Sequence, residues 1–216
     1  MPRRLYDFWR SSAAYRVRIA MNLKGIEAER TYINLTKGEQ KAPAFRDISP
    51  SGLMPVLEEE DGTRIFQSLA IIDYLEAHYP EPALLPADAE GRARVQGLAY
   101  ATAIDTHPLT NVRVLNFVEN EMGAGKDGRA EWIAHWCHAG FEGLETRLNR
   151  EPETSAFMHG DSPTLADICL IPQIYFARRF DLDLSPYPTL VRIDATCAAL
   201  PAFHDASPSQ QADAVG

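Results

Sequence analysis

The stretch Arg10-Ser11-Ser12-Ala13-Ala14-Tyr15-Arg16-Val17-Arg18-Ile19-Ala20 decides how this chain is read. It stands where a short strand, Leu5 to Trp9, hands over to a helix. Two hydroxyls fall at the helix N-terminus, where unpaired backbone N–H groups and the macrodipole favour a negative charge. Serine is also among the preferred N-cap residues, so Ser11 or Ser12 acts either as a cap or as a donor to a bound anion. Two later segments extend the pattern. Leu53-Met54-Pro55-Val56-Leu57 sets a proline just before a strand, and Phe66-Gln67-Ser68-Leu69-Ala70-Ile71-Ile72 opens another helix with a polar pair.

Outward from these segments, the first part of the chain alternates strand-like and helix-like runs. Arg3 to Trp9 reads as a strand and Ser12 to Leu23 as a helix stopped by Gly25. Arg30 to Ile33 is a second strand, followed by a polar loop and a short helix over Pro43 to Ile48. Val56 to Glu59 and Arg64 to Phe66 form a hairpin turned at Asp61-Gly62, and Ser68 to His78 is a helix. This βαβ then ββα order predicts a mixed sheet flanked by helices. The prolines of Tyr79-Pro80-Glu81-Pro82 and Leu85-Pro86 mark a domain boundary, giving domains at 1–82 and 88–216.

Beyond the boundary the periodicity is helical: Ala89 to Ile104, Pro108 to Met122, Gly128 to Asn149, Thr164 to Arg178 and Pro188 to Leu200. Trp132, Trp136, Phe141 and Leu144 fall at helical spacings and read as a core stripe. Thr164 and Asp167 form a capping pair, which explains Asp167 without a catalytic role. The tail after Ala206 is small and polar and is expected to fray.

Composition narrows the function. The chain has 216 residues, 45% of them apolar and 24% charged, enough for one large domain or two small ones. A net charge of −9 without a lysine cluster argues against a nucleic-acid surface. Three widely spaced cysteines form no metal-ligand motif, so no metal is expected and a reduced cytoplasmic protein is. No export signal and no apolar run of spanning length appear, so no membrane is expected.

In their order, the double-serine helix start, the proline before a strand and the Gln67-Ser68 helix start resemble the glutathione-binding half of the glutathione S-transferases. More narrowly, they resemble the zeta class, whose pattern is a double serine, a cysteine and then Arg-Val-Arg-Ile-Ala. His107-Pro108-Leu109-Thr110-Asn111-Val112-Arg113, Gly160-Asp161-Ser162-Pro163-Thr164-Leu165-Ala166-Asp167 and Ala177-Arg178-Arg179-Phe180 extend the likeness over nearly the whole chain. Ala13 stands where that class has its cysteine. The resemblance implies an α/β thioredoxin-like N-terminal domain plus an all-α C-terminal domain, glutathione as cofactor, and a homodimer. It also implies cis–trans isomerisation of a small dicarboxylate, maleylacetoacetate to fumarylacetoacetate in tyrosine and phenylalanine catabolism. Maleylpyruvate of gentisate catabolism, or general glutathione conjugation, are the alternatives.

The resemblance assigns roles residue by residue. Ser11 stabilises the glutathione thiolate, with Ser12 as the other candidate and Arg10 beside them. Met54 and a cis Pro55 pair with the cysteinyl backbone, although Pro55 read alone is an ordinary trans proline. Gln67 and Ser68 anchor the γ-glutamyl end, while Gln40, His107 and Asn111 complete the cofactor contacts. His107-Pro108 is also a helix-boundary dipeptide in its own right. Arg10, Arg113 and Arg179 surround the substrate carboxylates, a task suited to permanent charge and a fork of donors. Read without the family, Arg10 pairs with a nearby acid and Arg113 is a solvated helix charge. One of Arg178 and Arg179 faces solvent.

Overall fold

The computed structural model describes residues 2–214. They fall into two compact units: the residues up to Ala83 together with those from Leu200 on, and Leu84–Ala199.

The first unit holds a four-stranded sheet of β1 (Arg4–Asp7), β2 (Glu29–Tyr32), β3 (Val56–Glu58) and β4 (Arg64–Phe66), in the order β2-β1-β3-β4. β1 runs parallel to β2 and antiparallel to β3, and β3 is antiparallel to β4. Helices α1 (Ser12–Leu23) and α3 (Ser68–His78) pack on each other, and the short α2 (Pro43–Arg46) precedes β3. The parallel β1–β2 step needs a crossover, which α1 supplies. Leu5, Val17, Ile19, Leu57, Ile71 and Leu75 are fully buried between sheet and helices. Each such side chain contributes about 1.5–3 kcal/mol by leaving water. Gly25, at φ 62°, follows the last turn of α1 in a left-handed conformation that costs glycine little. The Met54–Pro55 bond is cis, and so is Glu81–Pro82, a proline that the sequence marks as a domain boundary without indicating its isomer.

The second unit is helical, and no strand occurs after Leu98 among the described residues. Its long helices are α4 (Ala89–Tyr100), α6 (Gly125–Arg150), α7 (Leu165–Arg179) and α8 (Pro188–Ala198), with the short α5 (Val112–Asn116) between α4 and α6. Two expected helices are broken. After Tyr100 the backbone widens into a π-helical turn, Ala101–Thr106, and then tightens into a 3₁₀ turn, His107–Thr110. The causes are local. The Thr106 hydroxyl donates back to the Ala101 carbonyl at 3.0 Å, such back-bonding distorts a helix, and Pro108 has no N–H to continue the ladder. Asn111 is extended and caps α5, so the run expected from Pro108 to Met122 is interrupted there.

The apolar stripe of α6 is Ile133, Cys137, Phe141, Leu144 and Leu148. Trp132 and Trp136 flank it half-buried, contrary to the reading that placed them in the core. An indole N–H needs a partner, and that of Trp132 donates to the Leu109 carbonyl at 2.8 Å.

The tail also differs from expectation. Short helix α9 (Pro201–His204) and the residues beyond it cluster with the first unit rather than with the helical domain expected over 88–216. Among the described residues the tail is held rather than frayed: buried Arg18 donates to the Ala206 carbonyl at 2.9 Å, and Asp213 accepts the Trp9 N–H at 3.0 Å.

Asp167 is a fully buried carboxylate that accepts the Met158 N–H at 2.9 Å, the Thr164 N–H at 2.8 Å and the Thr164 hydroxyl at 2.9 Å. Burial nevertheless pushes its pKa up to about 6 against those donors. The group ties the loop at Met158 to the start of α7. Asp167→Ala should lower the unfolding free energy by about 2–4 kcal/mol, because it strands two buried N–H donors and a helix cap. Urea unfolding of the variant measures this, and a loss below 1 kcal/mol would remove the structural role.

Candidate active site

The register of the sheet gathers the sequence segments singled out above in the first unit. Tyr6 pairs with Val56, and Val56 pairs with Phe66. The outgoing end of β1, the incoming end of β3 and the outgoing end of β4 therefore lie side by side. Arg10-Ser11-Ser12, Met54-Pro55 and Gln67-Ser68 extend from those three ends. A further link crosses from α1, where Arg16 Nη1 donates to Ser68 Oγ at 3.4 Å.

Ser11 is the N-cap of α1, with extended backbone, and its Oγ accepts the Ala14 N–H at 3.2 Å. The cap uses a lone pair and leaves the hydroxyl proton free to donate to an anion. The first turn of α1 contains no acidic residue, so nothing there opposes the positive end of the dipole. Ser12 lies inside the helix and is buried, whereas Ser11 is half-exposed. Of the two hydroxyls, Ser11 is the accessible one. Arg10 places its guanidinium over the Trp9 ring at 4.7 Å from the centroid, a cation–π contact that holds the charge without neutralising it. The nearby acid allowed by the sequence reading is therefore replaced by an aromatic face.

Gln67 has φ 70°, a left-handed conformation that costs a non-glycine residue of order 1–3 kcal/mol. It sits exposed at the N-terminus of α3 and makes no side-chain cap there, while Ser68 behind it is buried. Gln40 lies in a 3₁₀ turn, Glu39–Lys41, just before α2, and its Oε1 is buried with no hydrogen-bond partner among the described residues. Gly52 (φ 65°) packs so close that an added Cβ would stand 2.9 Å from the Gln40 carbonyl. Met54 packs against the Tyr6, Phe45 and Val56 cluster, and Pro55 is buried. A helix N-terminus with a spare hydroxyl, a strained polar residue at a second helix start and an orphaned buried amide oxygen suit a polar, anionic tripeptide.

The remaining candidates belong to the second unit. His107 begins the 3₁₀ turn, and Asn111 Oδ1 accepts the Arg113 N–H at 3.1 Å, leaving its amide N–H₂ able to donate. Arg113 is exposed on α5. Beneath this segment, buried Gln173 on α7 reaches Thr110 Oγ1 and Cys137 Sγ, each at 3.5 Å. Arg178 is ion-paired with Asp194 on α8. Arg179 instead lies over the rings of Phe176 and Phe180, at 6.0 and 5.2 Å from their centroids. Among the described residues no cluster of His, Cys, Asp or Glu is arranged to hold a metal ion, and no helix is long and apolar enough to cross a membrane.

Comparison with known proteins settles the family. Residues 10–78 match the N-terminal domain of glutathione S-transferase and residues 139–201 match its C-terminal domain. A maleylpyruvate isomerase from a Ralstonia species is 44% identical over 211 residues, 97% of this chain and 99% of that one. The chain belongs to the glutathione S-transferase family, and within it to the zeta class. A maleylacetoacetate isomerase from Rhizobium meliloti is 46% identical, across 95% of this chain and 96% of its own. The crystal structure of maleylacetoacetate isomerase from Methylobacterium extorquens AM1, with bound malonate and glutathione, superposes with a TM-score of 0.96. It is 41% identical and is matched over 99% of this chain and 100% of that one.

Within this transferase, the sequence reading missed Trp9 as the platform for Arg10 and Asp213 as the acceptor of the Trp9 N–H. Trp9 carried a signal, an aromatic directly before a cationic residue at a strand end. Asp213 carried none, since its partner is 204 residues away.

Gln67→Gly separates strain from contact. Removing both, we expect the unfolding free energy to rise by about 1 kcal/mol and glutathione affinity to fall about tenfold, the scale of one or two hydrogen bonds. Urea melts with calorimetric titration test the pair of effects; unchanged affinity would take Gln67 out of the binding site.

Proposed function

We propose that this transferase catalyses the glutathione-dependent cis–trans isomerisation of maleylacetoacetate to fumarylacetoacetate, in the breakdown of tyrosine and phenylalanine. It acts as a cytoplasmic homodimer. The observation that carries the reading is the start of α1, where Ser11 keeps a hydroxyl proton free beside an unopposed helix N-terminus and Arg10 stands next to it. The bound malonate and glutathione of the Methylobacterium relative support the same pairing of a thiol tripeptide with a small diacid. The homodimer is supported by a groove of about 400 Å³ along α4 and α6, where Gly97 and Gly143 leave room for side chains of a second copy.

Glutathione, when bound, supplies a thiolate that adds reversibly to the cis double bond and is released once the bond has rotated. The chain's own work is positioning and charge. Ser11 donates its O–H toward the sulfur, and with the α1 N-terminus favours the thiolate over the thiol. Met54 and Pro55 offer backbone groups to the cysteinyl unit, and Gln67 and Ser68 hold the γ-glutamyl end. Gln40, His107 and Asn111 supply further polar contacts to the tripeptide. Arg10, Arg113 and Arg179 hold the carboxylates and the keto oxygen, on which negative charge grows in the transition state. General conjugation calls for an apolar acceptor pocket, which three permanent charges disfavour. Maleylpyruvate is the second reading, favoured by the Ralstonia relative. Steady-state kinetics with both substrates at saturating glutathione decides between them, and no turnover of either refutes the isomerase.

Two sets of variants test the roles. Ser11→Ala should lower kcat on the order of 10²–10³ while leaving glutathione binding nearly intact, since the lost donor serves developing charge. Full activity in Ser11→Ala together with loss in Ser12→Ala would exchange the two serines.

Arg10→Ala and Arg179→Ala should raise KM for the diacid and lower kcat as well, because each arginine holds an oxygen whose charge grows. Inhibition by malonate should weaken in the same variants. An unchanged kcat/KM in both would sink the carboxylate clamp and revive general conjugation.

A further inference from the structure

The loop that joins β1 to α1 is held by charges from two places. Buried Asp7 accepts the Phe8 N–H at 2.7 Å, Arg18 Nη1 at 2.8 Å and Arg30 Nη1 at 2.9 Å. Arg18, also fully buried, donates through Nη2 to the Trp9 carbonyl at 3.0 Å and through Nε to the Ala206 carbonyl at 2.9 Å. Asp213 then takes the other backbone polar group of the same residue, accepting the Trp9 N–H at 3.0 Å. Its second oxygen is buried with no partner among the described residues, and burial raises its pKa. The tail is anchored further along α1, where Asn22 Nδ2 donates to the Ala202 carbonyl at 3.0 Å. Both backbone polar groups of Trp9 are thus fixed by charged side chains, one from α1 and one from the C-terminal tail. Trp9 in turn carries Arg10 on its ring, and the Phe8 carbonyl accepts the Ser11 N–H at 2.9 Å.

We propose that Asp213 is a positioning residue for catalysis: the tail clamps Trp9 and thereby sets Arg10 and the α1 N-terminus where they meet glutathione and the diacid. This rests on the reading that the β1–α1 loop presents the thiolate. The hydrogen bond is worth more here than in a free tail because its acceptor is charged and half-buried. A carboxylate or a carboxamide can fill the acceptor position, whereas a methyl group leaves the Trp9 N–H without its partner. A group displaced by about 1 Å can cost on the order of 10²-fold in rate, so a remote clamp registers in turnover.

Asp213→Ala, Asp213→Asn and Ser11→Ala are compared with the unaltered protein by three measurements. Exchange of the Trp9 amide is followed by NMR in the ligand-free protein, the pKa of the bound glutathione thiol by its thiolate absorbance, and steady-state kinetics by substrate turnover. In Asp213→Ala the Trp9 amide should exchange at least tenfold faster, as expected for a lost hydrogen bond. The thiol pKa should rise and kcat/KM should fall on the order of 10- to 100-fold, with thermal stability little changed. Asp213→Asn should restore most of each, a rescue that bulk tail packing would not distinguish. Wild-type thiol pKa and kcat/KM in Asp213→Ala would overturn the proposal, even if the Trp9 amide exchanged faster. An unmoved thiol pKa in Ser11→Ala strikes the Ser11 assignment alone, and the Asp213 variants then still decide the clamp.

Discussion

The ion pair between Asp7 and Arg18 is the constraint on which the first unit depends. Both side chains are fully buried and lie 2.8 Å apart. Burial pulls the Arg18 guanidinium below its ordinary pKa while Asp7 opposes the shift. A buried pair of this kind adds little net stability over a well-packed apolar substitute, yet removing one partner costs about 3–5 kcal/mol. Its value is geometric. Asp7 ends β1 and accepts from Phe8, Arg18 and Arg30, so the strand leaves the sheet in one direction only. Arg18 answers by gripping the carbonyls of Trp9 and Ala206, which ties the turn before Ser11 to the far end of the chain.

That geometry explains how one helix start can cap and bind at once. Ser11 needs its lone pair for the Ala14 N–H and its proton for the ligand, and these point in different directions on the same oxygen. A loop free to rotate would satisfy the cap and lose the aim. The strained backbone of Gln67 answers the same demand at α3, where an ordinary N-cap conformation would hold its side chain close to the helix. In both places local stability is set below ligand geometry. Helix α7 shows the opposite economy: Asp167 is fully buried and turns its oxygens to three donors inside the protein, out of reach of a substrate.

Much of this was legible in the chain because it depends on neighbours in sequence. The extents of α1, α3 and the β3–β4 hairpin follow from periodicity, a stopping glycine and an Asp-Gly turn, all within a few residues. The site segments were legible only as an ordered set, since a serine pair or a strand-start proline is ambiguous by itself. What escaped lies at long range or between competing local rules. The break after Tyr100 arises where apolar periodicity favours continuing and Thr106 and Pro108 oppose it, and the backbone settles on a π turn. The stripe of α6 was misplaced at its start because tryptophans weigh heavily as apolar residues, although Trp132 needs a carbonyl at its N–H. The tail looked frayed because nothing local holds it, and its anchors are a buried arginine and a backbone N–H almost the whole chain away. Arg18 itself was a readable warning: a cation between Val17 and Ile19 in an apolar helix has to find a buried acid.

The replacement of the class cysteine by Ala13 bears on where the nucleophile comes from. All three of this chain's cysteines are buried. Burial pushes the Cys137 thiol up to about 11, and the Cys197 thiol is driven higher still, by burial first and then by the nearby Asp167 and Asp194 carboxylates. Thiols in such surroundings stay protonated near neutral pH and are poor nucleophiles. A reaction that needs a protein sulfur has nowhere to start in those two. An isomerisation that borrows its sulfur has no such need, because the thiol arrives with the cofactor and meets a helix N-terminus that favours its ionised form. Loss of the cysteine therefore removes one chemistry and leaves the other whole, and the missing sulfur leaves no second thiol near Ser11 to compete for the same hydroxyl.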